Sequence, residues 1–162
     1  MKPYRQSRFL TYFLPLALTL LILTSCGKRV LTDQTVNFDN ARWGYFEPAI
    51  FQADVDDTDN PYSVCLTLHY DTNKLQYTTI PVIVRFYIDS SEMHSFNATL
   101  RLKDRSGKRR GDIIDNRCIV TDTIDRCRIY NQEGQYTYRI IQFTSKYEIF
   151  GVESLRMRIA AL

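Results

Sequence analysis

The chain has 162 residues, with 21 Lys and Arg against 18 Asp and Glu. The first 25 residues carry Lys2, Arg5 and Arg8 and no acid, so the rest is balanced at 18 charges of each sign. The net charge of +3 therefore gives no argument for a nucleic-acid partner, and the remaining length suits one domain with its own core.

The chain opens with those three basic residues and an apolar run from Phe9 to Leu23. Leu20-Leu21-Ile22-Leu23-Thr24-Ser25-Cys26-Gly27 closes the run. Basic, apolar and small residues in this order are those of a secretory signal. The run is shorter than the ~20 residues a spanning helix needs, and Pro15 interrupts it. A cysteine at the cleavage point reads as a bacterial lipobox. The expectation is a lipoprotein signal peptide over 1–25, cleavage after Ser25 and lipid on Cys26. Acyl chains add about 0.8 kcal/mol per buried CH₂, so two or three anchor a protein firmly. Residues 26–34 read as the lipidated N-terminus and tether, and 35–162 as the folded domain.

Within that domain, Trp43 reads as a residue at the edge of the core, and Ala49, Phe51, Ala53 and Val55 mark a strand. The acidic run Asp54-Val55-Asp56-Asp57-Thr58-Asp59 hints at calcium. An EF-hand loop wants Gly at position six and Glu at twelve; counted from Asp54 those places hold Asp59 and Cys65, so no metal site is assigned. Tyr62 to Tyr70, Val82 to Ile88, Phe96 to Leu102, Tyr136 to Ile140 and Leu155 to Ile159 each alternate apolar with polar residues, the period of a half-buried strand. Ile124 to Tyr130 is a further strand. Asp59-Asn60-Pro61, Asp71-Thr72-Asn73-Lys74, Arg105-Ser106-Gly107-Lys108 and Asn131-Gln132-Glu133-Gly134 separate them as turns. No window holds a helical period. Seven or eight short strands at this spacing predict an all-β fold, a single antiparallel β-sandwich, jelly-roll-like in character.

Chemistry-bearing motifs are sparse. His69 and His94 read as surface histidines. No Gly-x-Ser-x-Gly elbow and no His-Glu-x-x-His helix occurs. Glu47, Glu92, Glu133, Glu148 and Glu153 show no pairing of the kind a glycosidase needs. No enzyme activity and no cofactor is therefore expected. Besides Cys26 there are Cys65, Cys118 and Cys127; an oxidising compartment permits one disulfide, with Cys118 and Cys127 the local pair if they lie on adjacent strands. Without Cys-x-x-Cys no zinc or redox motif is supported. Asp122-Thr123-Ile124 matches a short O-glycosylation acceptor of exported Bacteroidetes proteins. The basic segment Arg105, Lys108, Arg109 and Arg110 is the candidate partner contact.

The order of these features resembles one family. A lipobox is followed by Trp43, then Asn60-Pro61-Tyr62 opening the strand Val64-Cys65-Leu66-Thr67-Leu68, then Leu75-Gln76-Tyr77-Thr78-Thr79. Leu102-Lys103-Asp104-Arg105-Ser106-Gly107-Lys108-Arg109-Arg110-Gly111 comes next. Glu133-Gly134-Gln135-Tyr136 leads to Ile140-Ile141-Gln142, and Ile149-Phe150-Gly151-Val152-Glu153-Ser154-Leu155 precedes the last strand. The layout is similar to the gliding-motility lipoprotein GldH family of Bacteroidetes. That resemblance implies a non-catalytic envelope lipoprotein that supports a motility machinery and its linked secretion, with no catalytic residues to carry over. In such proteins an aromatic usually follows the first Gly of the basic turn; here Lys108-Arg109-Arg110 stands there. Gly27 after the lipid cysteine, and no acids beyond Lys28-Arg29-Val30, imply an outer-membrane anchor with the domain facing the periplasm. The expected partners are the membrane, through the lipid on Cys26, and envelope proteins. The alternative is a carbohydrate- or ligand-binding sandwich, which requires exposed Trp43 or Tyr residues on one face. A hydrolase ranks behind both.

Overall fold

The computed structural model describes residues 28–89 and 91–162. The long alternating segments form strands that bury one face each. Strand β4 (Tyr62–Asp71) alternates buried and half-buried residues along its whole length. It lies in a five-stranded sheet, in the order β1-β11-β4-β8-β7, with β1 (Val30–Asn37), β11 (Val152–Ala161), β8 (Arg117–Arg128) and β7 (Asp112–Ile114). A second sheet runs β3-β9-β5-β6, from β3 (Ala49–Val55), β9 (Gly134–Gln142), β5 (Thr79–Ile88) and β6 (Ser91–Arg101). A small ribbon pairs β2 (Arg42–Gly44) with β10 (Glu148–Phe150). All neighbours are antiparallel, and the fold is an antiparallel β-sandwich.

The core lies between the sheets. Tyr62, Val64, Leu66, Leu68 and Tyr70 of β4 and Leu155, Met157 and Ile159 of β11 face Phe51, Val82, Val84, Tyr138 and Ile140 from the second sheet. Trp43 is fully buried, stacks on Phe38 at 5.1 Å between ring centroids and donates its Nε1–H to the Glu47 carbonyl at 3.1 Å. It is a core residue, and a sugar platform built on Trp43 is excluded.

Two expectations are corrected. The tether does not extend to residue 34, because Val30 to Asn37 pair with β11. Its register shift between Val30 and Thr32 breaks the alternation that would announce a strand. The strand read at Ile124 to Tyr130 begins at Arg117 and ends at Arg128. Its inward positions Cys118, Val120 and Asp122 include a carboxylate, which masks the apolar period.

The strand directions define two ends. At one, the chain enters β1 beside the end of β3, the start of β4 and the end of β11: Ala161 N–H donates to the Arg29 carbonyl and Leu162 N–H to the Pro61 carbonyl. At the other lie β2, β7, β10 and the turn after β4. Ten residues of β4 at ~3.3 Å each separate the ends by about 30 Å.

Candidate docking surface

At the entry end, Arg29 forms ion pairs with Asp56 and with Asp57, the latter at 3.2 Å. Asp57 also accepts the Asn60 Nδ2–H at 2.7 Å and the Asp59 N–H at 2.9 Å, and these hydrogen bonds, led by Asn60, hold its carboxyl below the ordinary range. The acidic run is thus a turn closed around Arg29. Among the described residues no three His, Cys, Asp or Glu side chains converge on a point where a metal could sit. Cys26, the expected lipid site, lies outside the described residues.

Two polar residues on inward-facing strand positions each organise one surface loop toward the far end. The first is Asp122 of β8, 3 % exposed. It accepts the Arg101 backbone N–H at 2.6 Å, the Arg101 Nη2–H at 3.1 Å and the Arg110 Nη1–H at 2.8 Å. Arg110 also reaches the Arg101 carbonyl at 2.7 Å. Arg109 turns inward too, donating to the Thr72 carbonyl at 2.6 Å and lying 5.9 Å from the centre of the Tyr70 ring. The turn between them is built by Asp104, whose Oδ1 accepts the Ser106 and Lys108 N–H groups and the Ser106 hydroxyl. Gly111 lets the chain pass against β8: with φ +83, an added Cβ would stand 2.0 Å from the Ile119 carbonyl oxygen.

This divides the predicted contact. Arg105 and Lys108 are exposed, while Arg109 and Arg110 are spent on the fold. A three-residue replacement that includes Arg109 and Arg110 would strip partners from Asp122 and from the turn after β4. The exposed cations are joined instead by Ile113 and Ile114 of β7, the latter 69 % exposed. Basic turn and apolar edge strand therefore form one stretch of surface, Arg105 to Ile114.

The second organiser is Gln142, fully buried at the end of β9. Its Nε2 donates to the Lys146 and Tyr147 carbonyls at 3.0 and 3.3 Å, and its Oε1 accepts the Thr144 N–H and hydroxyl at 2.9 and 2.8 Å. Tyr45 N–H donates to the Tyr147 carbonyl at 2.7 Å, clipping the β2–β3 loop to the β9–β10 loop. The result is an exposed group of rings. Phe46 is 78 % and Tyr147 77 % exposed, and they stack at 6.3 Å. Tyr45 meets Phe46 edge-on at 5.0 Å and Phe143 at 6.3 Å. Tyr45, Thr144, Ser145, Lys146 and Tyr147 line a shallow open pocket of about 130 Å³. The motifs and periods of the sequence do not point to this group. Its signal is bulky rings in turn-like stretches, Tyr45-Phe46 before Glu47-Pro48 and Phe143 to Tyr147 around Thr-Ser-Lys, where no alternation would bury them.

The remaining candidates separate. Cys118 and Cys127 lie nine positions apart on the same strand, roughly 30 Å along β8, far beyond the ~7 Å limit between disulfide-bonded Cα atoms. The expected pair is therefore wrong, and Cys65, Cys118 and Cys127 are all thiols. Cys118 is buried and donates to the Arg110 carbonyl at 3.1 Å. His69 is half-buried on the outer face of β4, and His94 is exposed with its ring 5.8 Å from Phe86 and 6.2 Å from Phe96. Glu47 and Glu148 converge on Arg42, at 3.1 and 2.5 Å, and Glu153 pairs with Arg117. In Asp122-Thr123-Ile124 the aspartate is consumed inside the fold, while Thr123 is exposed with its hydroxyl 3.4 Å from Cys65 Sγ.

The sequence model of the GldH lipoprotein family matches residues 30–159, from the start of β1 almost to the end of β11. The chain belongs to the GldH lipoprotein family. A lipoprotein family implies a lipid-anchored place in the cell envelope. Among curated proteins nothing matches the sequence. Similar solved structures include the insecticidal delta-endotoxin Cry8Ea1 from Bacillus thuringiensis, at 8 % identity and TM-score 0.39 over 80 % of this chain. This chain spans only 19 % of that toxin. The CBM36-1 domain of a multidomain xylanase from the hindgut metagenome of Trinervitermes trinervoides is similar at 12 % identity and TM-score 0.35, over 81 % of this chain and 90 % of that one. Eiger TNF from S. frugiperda is similar at 9 % identity and TM-score 0.35, over 84 % and 88 %.

Proposed function

We propose that this GldH family member is a non-catalytic lipoprotein, anchored in the outer membrane through lipid on Cys26 and facing the periplasm. There it supports the assembly or stability of a motility- or secretion-linked envelope complex. The observation that carries the reading is the polarity of the sandwich. The chain enters the fold at Arg29 and Val30, close behind Cys26 in the sequence, while Arg105, Lys108, Ile113 and Ile114 are exposed at the opposite end.

A short lead from a lipidated Cys26 would hold the entry end close to the headgroups and present the far end about 30 Å away. Membrane anchoring concentrates the protein in two dimensions, so a modest patch suffices to hold a partner through effective concentration. Exposed Ile113 and Ile114 between the acids Asp112 and Asp115, with Arg105 and Lys108 on the turn before them, have the mixed character of a non-obligate protein interface.

The test is recovery of cross-linked partners from the native cells, read by mass spectrometry. Wild type is compared with Cys26→Ala and with a variant carrying Arg105→Ser, Lys108→Ser, Ile113→Ser and Ile114→Ser. Motility or secretion components enriched with wild type and lost in both variants are the expected result. Equal recovery by the four-residue variant removes the Arg105 to Ile114 surface from the proposal. No envelope protein with any form overturns the complex-assembly reading.

A further inference from the structure

We infer that β6 takes up an extended segment of a partner protein as a fifth strand of the second sheet. The inward side chains of that segment are apolar, and its outward ones include a carboxylate.

The main chain of β6 is the first observation. The two main sheets end in β1 and β7, and in β3 and β6. Unpaired N–H and C=O groups on an edge template another strand, and proteins guard them with charge, proline, bulges, short length or cover. β7 has only three residues. β1 carries a register shift between Val30 and Thr32 and the ion pair of Asp33 with Arg156. β3 lies beside β1, whose Gln34 Oε1 accepts the Gln52 N–H at 2.9 Å. β6 is the exception, with 11 residues. Its stretch Ser95-Phe96-Asn97-Ala98-Thr99-Leu100 contains no charge, proline or glycine, and its register shift, opposite Phe86 and Tyr87, comes before Ser95.

The direction of these groups follows from Arg101. Its N–H donates to Asp122 and its carbonyl accepts the Arg110 Nη1–H, so both point away from β5. Every second residue of an antiparallel strand does the same. The main-chain groups of Ser95, Asn97 and Thr99 therefore face outward, and among the described residues they meet no partner on that side. Asp122 closes the edge at Arg101 and leaves it open before.

The side chains define the strand that fits. Phe96 and Ala98 of β6 and Ile124 of β8 pack against the core but are only half-buried. The core is thus incompletely covered along this side. Asp122 with Arg101 and Arg110 bounds the gap at one end, and Asp125 with Arg128 at the other. Apolar side chains on the inward face of an added strand would cover it. On the outer face Arg85 stands in register with Ser95 of β6 and with Arg139 of β9. Like charges placed opposite one another repel. Arg139 lies 5.1 Å from the centre of the Tyr87 ring, and among the described residues Arg85 has no ion pair. Glu92 of β6 is in register with Tyr87, beyond the shift. A carboxylate on the outward face of the added strand, beside the small Ser95, complements Arg85.

A second copy does not fit, a step that rests on the anchoring proposed above. Two-fold pairing of β6 with itself runs antiparallel and sets the entry ends at opposite ends of the pair. The two Cys26 lipids could then not reach one membrane.

The experiment uses the full lipidated protein in its native cells, with p-benzoylphenylalanine in place of Thr99, or of Gln52 on β3 as the control. Thr99 should cross-link to one segment of a partner, mapped by mass spectrometry to an alternating stretch with Asp or Glu, and Gln52 should not. Asn97→Pro removes one outward N–H and spares the ladder to β5, a change edge strands tolerate. It should abolish the Thr99 cross-link with Tm unchanged, whereas Asn97→Ala, which keeps the main chain, should retain it. If Asn97→Pro lowers the Tm, Ser95→Lys with Asn97→Lys, both on the exposed face, takes its place and should also abolish the cross-link. The inference is overturned by no cross-link from Thr99, by a cross-link to a second copy of this chain, by a cross-link that survives the proline and lysine variants, or by equal loss in Asn97→Ala. Envelope components recovered with wild type while Thr99 gives no cross-link would overturn strand addition and leave the complex-assembly reading standing. A proline-sensitive cross-link to a protein outside motility and secretion would uphold strand addition and count against that reading.

Discussion

Arg110 donates its Nη1–H to Asp122 Oδ1 at 2.8 Å, joining the basic turn to an inward-facing carboxylate of β8. Among the described residues the other donors to Asp122 both come from Arg101, whose side chain is 58 % exposed. A buried carboxylate that loses a partner bears an uncompensated desolvation penalty. Arg110→Ala should therefore destabilise the protein by about 2–3 kcal/mol, whereas Lys108→Ala should stay within about 0.5 kcal/mol of wild type, as exposed sites do. Urea unfolding of the two variants checks this. Equal midpoints would mean that Arg110 is not structural.

The contrast also marks what the sequence could reveal. Period-two alternation made β3, β4, β5, β9 and β11 legible, because each packs one face on the core and leaves the other half-exposed. β1 was hidden by its bulge and by edge-strand polarity, and the first half of β8 by Asp122 at a core position. A basic run reads as a solvated patch when the acid that captures it lies twelve residues downstream on another strand. The pairing of Arg110 with Asp122 and the pinning of the aromatic loop by Gln142 are tertiary facts, and no local window contains them.

Gln142 sits fully buried where an apolar residue would continue the pattern of Tyr138 and Ile140. Gln142→Leu keeps the volume but leaves the Thr144 N–H without its acceptor and takes one of two donors from each of the Lys146 and Tyr147 carbonyls, which keep the Thr144 hydroxyl and the Tyr45 N–H. The expected cost is about 1–3 kcal/mol. Hydrogen exchange should quicken over residues 143–147 before the rest of the sandwich. Uniform exchange across the chain would show that the loop does not rely on Gln142.

Trp43 tests the division between core and surface aromatics. Trp43→Ala should cost about 3–5 kcal/mol, the range for a large buried aromatic. Tyr147→Ala should change stability by no more than about 0.5 kcal/mol. Thermal unfolding of both variants reads the difference. A Tyr147→Ala loss as large as that of Trp43→Ala would mean that the exposed rings serve the fold.

The three described thiols give a direct chemical test. Cys127 is exposed, Cys65 half-buried and Cys118 buried. A thiol reagent should label Cys127 first and Cys118 only after unfolding, because access controls the rate. Reductant should leave the Tm unchanged. A disulfide between Cys118 and Cys127, seen by mass spectrometry under non-reducing conditions, would contradict their placement on one strand.

Acid should loosen β1 before the rest of the sheet. Arg156 donates to both oxygens of Asp33, at 2.5 and 2.6 Å, tying this edge strand to β11. Those hydrogen bonds are the main cause that holds the Asp33 carboxyl below its ordinary value of 3.8. A carboxyl lowered in the folded state binds its proton more readily when unfolded, so its contribution is complete above the unfolded value. It is lost as pH falls from about 4 through the lowered folded value. The pair is partly exposed, so the effect is local and weakened by salt. Hydrogen exchange, corrected for intrinsic rates, should show the protection of residues 30–37 falling between pH 6 and pH 3. Asp33→Asn should begin lower and change less over the same interval. A wild-type response no larger than that of Asp33→Asn would place the acid sensitivity elsewhere, with Asp57 and Asp104, whose carboxyls are also held low by hydrogen bonds, as the next positions to substitute.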